Sequence, residues 1–394
     1  MNLLFSLTYL CAVAIAQAPD TDAEEDANVE EEAAVEETSE ETPTIDIQAE
    51  VDAFLGAAST PAAAPAPASP ASLLNALNPR ITVAADLLTT VVLDDGELNP
   101  ASTMWLRSLD LELRADVDPY AKAVAVIAFE QDAPLGWPDH HDEHAEDEHA
   151  EDEHVGYHAV PEEVYLDFVA LPAHLSARVG RQLLPFGITG RMHAHDWPWV
   201  DMPLPFAELM GEHSVADIGA VVSYQVHNPW GKALTLHAGL ISGAFFDPEG
   251  DEAMPAWIGR VEFFENLGPV EFGLGASSMG LNAERLDGAD LLIRWRSNGW
   301  HSVAFIGEVI TAAGQEEVGF VGTLQVQPSR PLYLGTRVDG IGDEIRYGAT
   351  VSYYTSEFLR LRLGAVTDGD ALRMDGQLTF IWGSHPAEPY WVNR

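Results

Sequence analysis

Residues 344–354 read EIRYGATVSYY, and their alternation decides the fold. Ile345, Tyr347, Ala349, Val351 and Tyr353 share one face, while Glu344, Arg346, Thr350 and Ser352 share the other. A period of two means a β-strand, because successive side chains point to opposite sides of the pleat. ALRMDGQLTFIW (371–382) repeats it, setting Leu372, Met374, Leu378, Phe380 and Trp382 against Arg373, Asp375, Gln377 and Thr379. FLRLRLGAV (358–366) and WLRSLDLELRADV (105–117) do the same, the latter with Leu109, Leu111 and Leu113 opposed to Asp110, Glu112 and Arg114.

Working outward, the same pattern marks segments near 78–93, 103–117, 121–131, 162–170, 174–183, 215–227, 233–243 and 256–266. Eight more lie near 270–280, 287–298, 300–313, 316–327, 331–339, 344–354, 357–366 and 371–383, which makes sixteen, an even number. Every second connection is tight: VDPYA (117–121), LPAH (171–174), HNPWGK (227–232), NLGP (266–269), SNG (297–299), QPSRP (327–331) and YTSE (354–357). The others are mostly longer and more polar, and two, 132–161 and 184–214, are very long. Tight turns at one end and long loops at the other are the asymmetry of an outer-membrane barrel. A soluble β-sandwich has no reason to sort its loops this way. The expected fold is all-β: a closed antiparallel transmembrane β-barrel of about 16 strands over 73–394, preceded by a disordered acidic segment.

That preceding stretch divides in two. MNLLFSLTYLCAVAIAQA has the apolar run and small-residue end of a secretory signal, with cleavage expected after Ala16. Residues 17–72 are a periplasmic tether: fourteen acids and no Lys or Arg fall within 20–50, and TPAAAPAPASPA (60–71) is an extended Pro/Ala linker. The single cysteine, Cys11, lies inside the signal, so the mature chain has neither disulfides nor thiolate ligands. The formal charge of −44 repels nucleic-acid phosphates, which excludes a DNA or RNA role.

RVGRQLLPFG (178–187), a strand running into Pro-Phe-Gly before a long loop, resembles the G-[RK]-x-x-x-P-F-G element of phosphate-selective-porin-like outer-membrane proteins. MHAHDWPWVDMP (192–203) is similar to a stretch found in a branch sometimes labelled zinc-regulated outer-membrane receptors. The resemblance covers about 35 residues. It implies a porin-like barrel whose third long-side loop, 184–214, folds into the lumen as a constriction. Phosphate specificity does not carry over, since a lysine-rich throat is needed and only Lys122 and Lys232 are present.

A barrel of sixteen strands leaves an aqueous lumen, so its inward faces should be polar. Alternation turns Arg114, Arg178, Arg294, Arg296, Arg346, Arg360, Arg362 and Arg373 inward, with Asp110, Glu112, Asp167, Asp290 and Asp375. Arginine is permanently charged, so a cluster of them is a fixed basic wall able to sort solutes by charge. In the 184–214 loop, His193, His195 and Asp196 are competent ligands for a divalent cation, or else pin the loop to lumen arginines. Trp197, Trp199, Phe206 and Leu209 make that loop too apolar for a free surface segment.

The other long loop carries HHDEHAEDEHAEDEH (140–154). His140, His141, His144, His149, His154 and His158 put six imidazoles within nineteen residues. A five-residue spacing aligns ligands neither on a helix nor on a strand, so binding there would be diffuse and adaptable. Surrounding carboxylates favour protonated imidazole, so metal competes with protons. No tightly bound cofactor is expected; Zn2+ or another divalent cation is the candidate ligand.

No G-x-S-x-G, phosphate loop or H-E-x-x-H occurs, so an enzyme is not expected. A TonB-dependent receptor needs about 22 strands and a plug, more than this chain holds. The resulting expectation is a passive porin-like channel whose external His/acid loop gathers zinc. The competitors are a non-conducting metal-binding barrel and a surface-interaction barrel. The expected partners are outer-membrane lipid and small solutes or metal ions, with a homotrimer open.

Overall fold

A computed structural model describes residues 79–94, 96–99, 102–131, 157–211, 215–246, 255–297 and 300–383. The signal, the acidic tether, the His-rich segment from 132 to 156 and the end SHPAEPYWVNR lie outside them. The strands run in chain order β1 (Arg80–Asp94), the two-residue β2 (Glu97–Leu98), β3 (Thr103–Asp116), β4 (Ala121–Gln131), β5 (Tyr157–Leu171) and β6 (Leu175–Leu183). Then come β7 (Ala216–Gln225), β8 (Ala233–Ile241), β9 (Ala256–Leu267), β10 (Val270–Leu281), β11 (Glu284–Arg296) and β12 (Ser302–Ala312). The last are β13 (Val318–Ser329), β14 (Leu332–Ile341), β15 (Glu344–Ser356), β16 (Leu359–Thr367) and β17 (Ala371–Gly383). Leaving β2 aside as a loop extension, sixteen long strands form the wall, each antiparallel to its chain neighbour.

The wall closes on itself. β1 pairs with β3 on one side and with β17 on the other, in a register running from Thr82 opposite Gly383 to Asp94 opposite Ala371. Closure leaves no long edge strand to satisfy, which lets such a sheet cross lipid. The alternation read in EIRYGATVSYY has its cause here. Ile345, Tyr347, Val351 and Tyr353 are exposed, as are Leu361, Leu363, Val309 and Phe305 on other strands, and together they give the wall an apolar outer face. Ser352, Arg362, Asp375 and Gln377 turn inward and are buried.

Three expectations need correction. Loop sorting holds only for the first half of the barrel: at the long-loop end the later connections shrink to 282–283, 313–317, 342–343 and 368–370. β5 starts at Tyr157, five residues earlier than alternation suggests, because a bulge opposite Val126 and Ile127 breaks its period. The inward face is also not uniformly polar. Ile258, Met279, Leu292, Ile306, Ile310 and Val321 point into the barrel and are buried there. Their partners are apolar side chains of the connection between β6 and β7.

Strands β5 to β8 approach closely at glycines. A Cβ on Gly180 would stand 2.2 Å from the Val164 carbonyl, and its φ of +134° suits glycine alone. Gly180→Val is expected to prevent closure of this wall, read as loss of the fast-migrating folded band of unheated protein on a gel.

Candidate functional site

The connection from β6 to β7 folds inside the barrel. Its described residues hold two short 3-10 turns, Thr189–Arg191 and Ala194–Asp196, and one helix, α1 (Leu204–Met210). Leu184, Phe186, Phe206 and Met210 pack on inward Ile258, Met279, Ile310 and Val321. Ile188, Met192, Trp197 and Trp199 pack on Leu292 and Ile306. Burial of this apolar surface drives the segment into the lumen.

An irregular backbone taken out of water must find partners for its N–H and C=O groups. The barrel wall supplies them as charges. Arg107 donates to the carbonyls of Val200 and Ala194, the latter at 3.1 Å. Arg360 donates to His195 O at 2.5 Å and Arg362 to Trp199 O at 2.6 Å. Arg337 reaches both Asp201 O at 3.1 Å and its carboxylate at 2.7 Å. Backbone donors are met by acids: Glu308 accepts from Ile188 N at 2.7 Å and Thr189 N at 3.0 Å, and Asp339 from Leu204 N at 2.7 Å. Each of these charge-assisted bonds is stronger than a neutral one.

Two bulges aim side chains that alternation would turn outward. In the β1–β3 register, Asp86 faces Ser108 and Leu87 faces Leu106, so Arg107 is the extra residue and swings inward to Asp86 and the loop. In the β4–β5 register, Val126 faces Glu163 and Ile127 faces Pro161, leaving Glu162 as the extra one. Glu162 and Glu163 therefore flank the same imidazole: His193 Nδ1 lies 2.9 Å from Glu162 and Nε2 lies 3.4 Å from Glu163.

His195 bonds through Nδ1 to Asp110 at 2.8 Å, and Asp196 stands 3.7 Å from its Nε2. The rings of His193 and His195 are parallel with centroids 5.6 Å apart. In-plane lone pairs on parallel rings do not converge, so the two imidazoles are turned toward separate carboxylates. Among the described residues no group of three or more His, Cys, Asp and Glu is gathered to hold a metal ion. Burial works against a charged His193, but Glu162 and Glu163 prevail and hold it well above the usual imidazole range. His195 follows the same rule, with Asp196 and Asp110 outweighing burial. Asp201 is held below the usual carboxylate range, burial being outweighed by Arg337.

The arginines expected in the lumen divide by role. Arg360 and Arg362 are buried beneath the loop. Arg294 and Arg296 both clamp Glu271, Arg373 pairs with Asp375 at 2.9 Å, and Arg346 stands opposite Asp339 in register. Arg114, Arg178 and Arg296 keep 52, 46 and 43 % of their side chains exposed, so these face the remaining lumen. Loop residue Arg191 joins them, paired with Glu262 at 2.9 Å. Sequence reasoning missed Arg107 because of its bulge, and also Arg260 and Arg337. Inward Arg260 holds Asp290 with two bonds, at 2.6 and 2.9 Å. Among the histidines of the acidic loop only His158 is described; it lies in β5, 3.3 Å from Glu130. His140, His141, His144, His149 and His154 lie outside the described residues.

A closed antiparallel barrel of sixteen strands with a loop packed into its lumen defines a class: the fold is that of the outer-membrane porins. OmpF of Salmonella typhi, in complex with daunomycin, superposes with a TM-score of 0.50 at 10% identity, over 78% of this chain and 99% of that one. OprB of Pseudomonas putida, in a low-pH structure, gives 0.50 at 11% identity, over 79% and 95%. No protein-family model matches the chain, and the comparison with curated proteins found no relative.

Arg362→Ala orphans a buried carbonyl at Trp199 and should weaken loop docking by about 1–3 kcal/mol. Faster amide hydrogen exchange over 193–203, with the strands still protected, is the expected readout. The pH dependence has a definite sign. Since the docked His193 titrates well above its ordinary value, its contribution is full below about pH 6.5 and is lost as pH rises through the docked value. Relative to the intrinsic base-catalysed rate, exchange over the loop should therefore lose protection on the alkaline side, and His193→Gln should remove that excess loss.

Proposed function

We propose that this chain is a passive outer-membrane channel for small solutes, with the 184–214 loop as its fixed constriction. The observation that carries the reading is the docked loop, held inside the barrel by wall arginines and acids rather than left above its mouth. A solute would pass Arg114, Arg178, Arg191, Arg296 and Glu262, groups fixed in place by their partners, so passage is sorted by charge without a moving gate. Purified protein in planar bilayers should give discrete conductance steps, larger when Arg107→Ala and Arg362→Ala are combined. Absence of steps in the folded protein would sink the channel.

The repeat HHDEHAEDEHAEDEH supports a second, additive element: His140, His141, His144, His149 and His154 as a diffuse zinc-gathering segment. His158 stays with the wall, so the deletion that tests this is 138–155. Calorimetric zinc titration should lose most of its heat in that deletion and weaken sharply below pH 6.5 in the intact chain; equal heats return the segment to a solvated acidic loop.

A further inference from the structure

On the lumen face of β7, β8 and β9 three side chains form a chain of contacts that no sequence motif shows. Ser223 Oγ lies 2.7 Å from His237 Nδ1, and His237 Nε2 lies 3.2 Å from Glu262 Oε1. The register builds it: Ser223 stands directly opposite His237, and Glu262 sits diagonally across from it, beside Arg260. Glu262 is itself fixed, by Arg191 at 2.9 Å and Arg260 at 3.1 Å. Ser223 and His237 are half-buried, so the pair is reachable from the lumen. None of the three holds the loop backbone, so docking does not explain the Ser223–His237 contact.

A hydroxyl within hydrogen-bond reach of an imidazole, which is oriented in turn by a carboxylate, is the arrangement of an activated nucleophile. The ring nitrogens are used in the reverse of the usual order, which leaves the chemistry intact, because either nitrogen serves as base while the other N–H is held. Arg178 on β6, diagonal to Ser223 in register, half-exposed and paired with Asp167 at 3.5 Å, puts a permanent positive charge on the same face. We propose that Ser223 is a nucleophilic acyl acceptor and that the lumen hydrolyses small esters entering it.

The step balances as follows. Ser223 Oγ attacks the ester carbonyl carbon while His237 Nδ1 takes the hydroxyl proton. Collapse breaks the ester C–O bond, and the alcohol leaves with that proton. Water, giving a proton to the same imidazole, then attacks the acyl carbon; the bond to Ser223 Oγ breaks, the proton returns from His237 to Oγ, and the acid is released. Glu262 acts through His237 and is a positioning residue.

The test uses the full chain folded in detergent and a small fluorophosphonate, which bonds Ser223 Oγ through phosphorus and expels fluoride. Mass spectrometry should find one label, on Ser223, with none in Ser223→Ala and none in heat-unfolded protein. His237→Gln should slow labelling about 100-fold or more. Glu262→Gln should slow it less, and Glu262→Asp should recover part of the rate, which a purely structural role would not produce. No label on Ser223 in the folded barrel, or equal rates with His237→Gln, would overturn the proposal. Conductance of Ser223→Ala should be unchanged, so failure here leaves the channel reading standing on its own measurement.

Discussion

The structure depends on one constraint: a polypeptide inside a barrel brings backbone polar groups with it, and they must be paired. Here the pairing is done by ionised side chains of the wall. Arg107, Arg337, Arg360 and Arg362 take the carbonyls, while Glu308 and Asp339 take the amides. The arginines are themselves desolvated, and removing one would leave carbonyls and carboxylates stranded. Apolar contacts drive the loop inward, but the charges fix its position, since dispersion alone would let it slide.

Much of this was legible in the chain. Alternation marks the sixteen long strands outside their bulges, because a lipid face and a lumen face impose the same period everywhere, and EIRYGATVSYY and ALRMDGQLTFIW carry it over most of their length. Insertion of the 184–214 loop was implied by the resemblance, and its apolar content, too high for a free surface segment, agrees for a physical reason: Trp197, Trp199 and Phe206 are costly to leave in water. What escaped the reading has one main cause. A single extra residue in a strand reverses the phase, so Arg107 and Glu162 read as outward or loop residues although both touch the inserted segment. The apolar patch around Ile258, Met279 and Ile310 was missed for another reason: nothing in a strand tells that its lumen face will be covered.

The candidate site shows the same division. His193, His195 and Asp196 stood out as a group, and their spacing is genuine. Their partners Glu162, Glu163 and Asp110 come from β3 and β5, far away in sequence, so the carboxylates around each imidazole appear only on folding. Ser223, His237 and Glu262 are fourteen and twenty-five residues apart, joined only by strand register. Local motifs are silent about such cross-strand constellations.

The seam between β1 and β17 has a consequence for the order of assembly. Asp86 on β1 receives Arg107 from β3 and Gln377 and Thr379 from β17, while the loop's carbonyls are taken by Arg107 on one side of the seam and by Arg360 and Arg362 on the other. Neither set is complete until first and last strands have met. The loop's full set of partners is therefore assembled only when the seam closes, and a barrel left open there would hold part of that backbone unpaired.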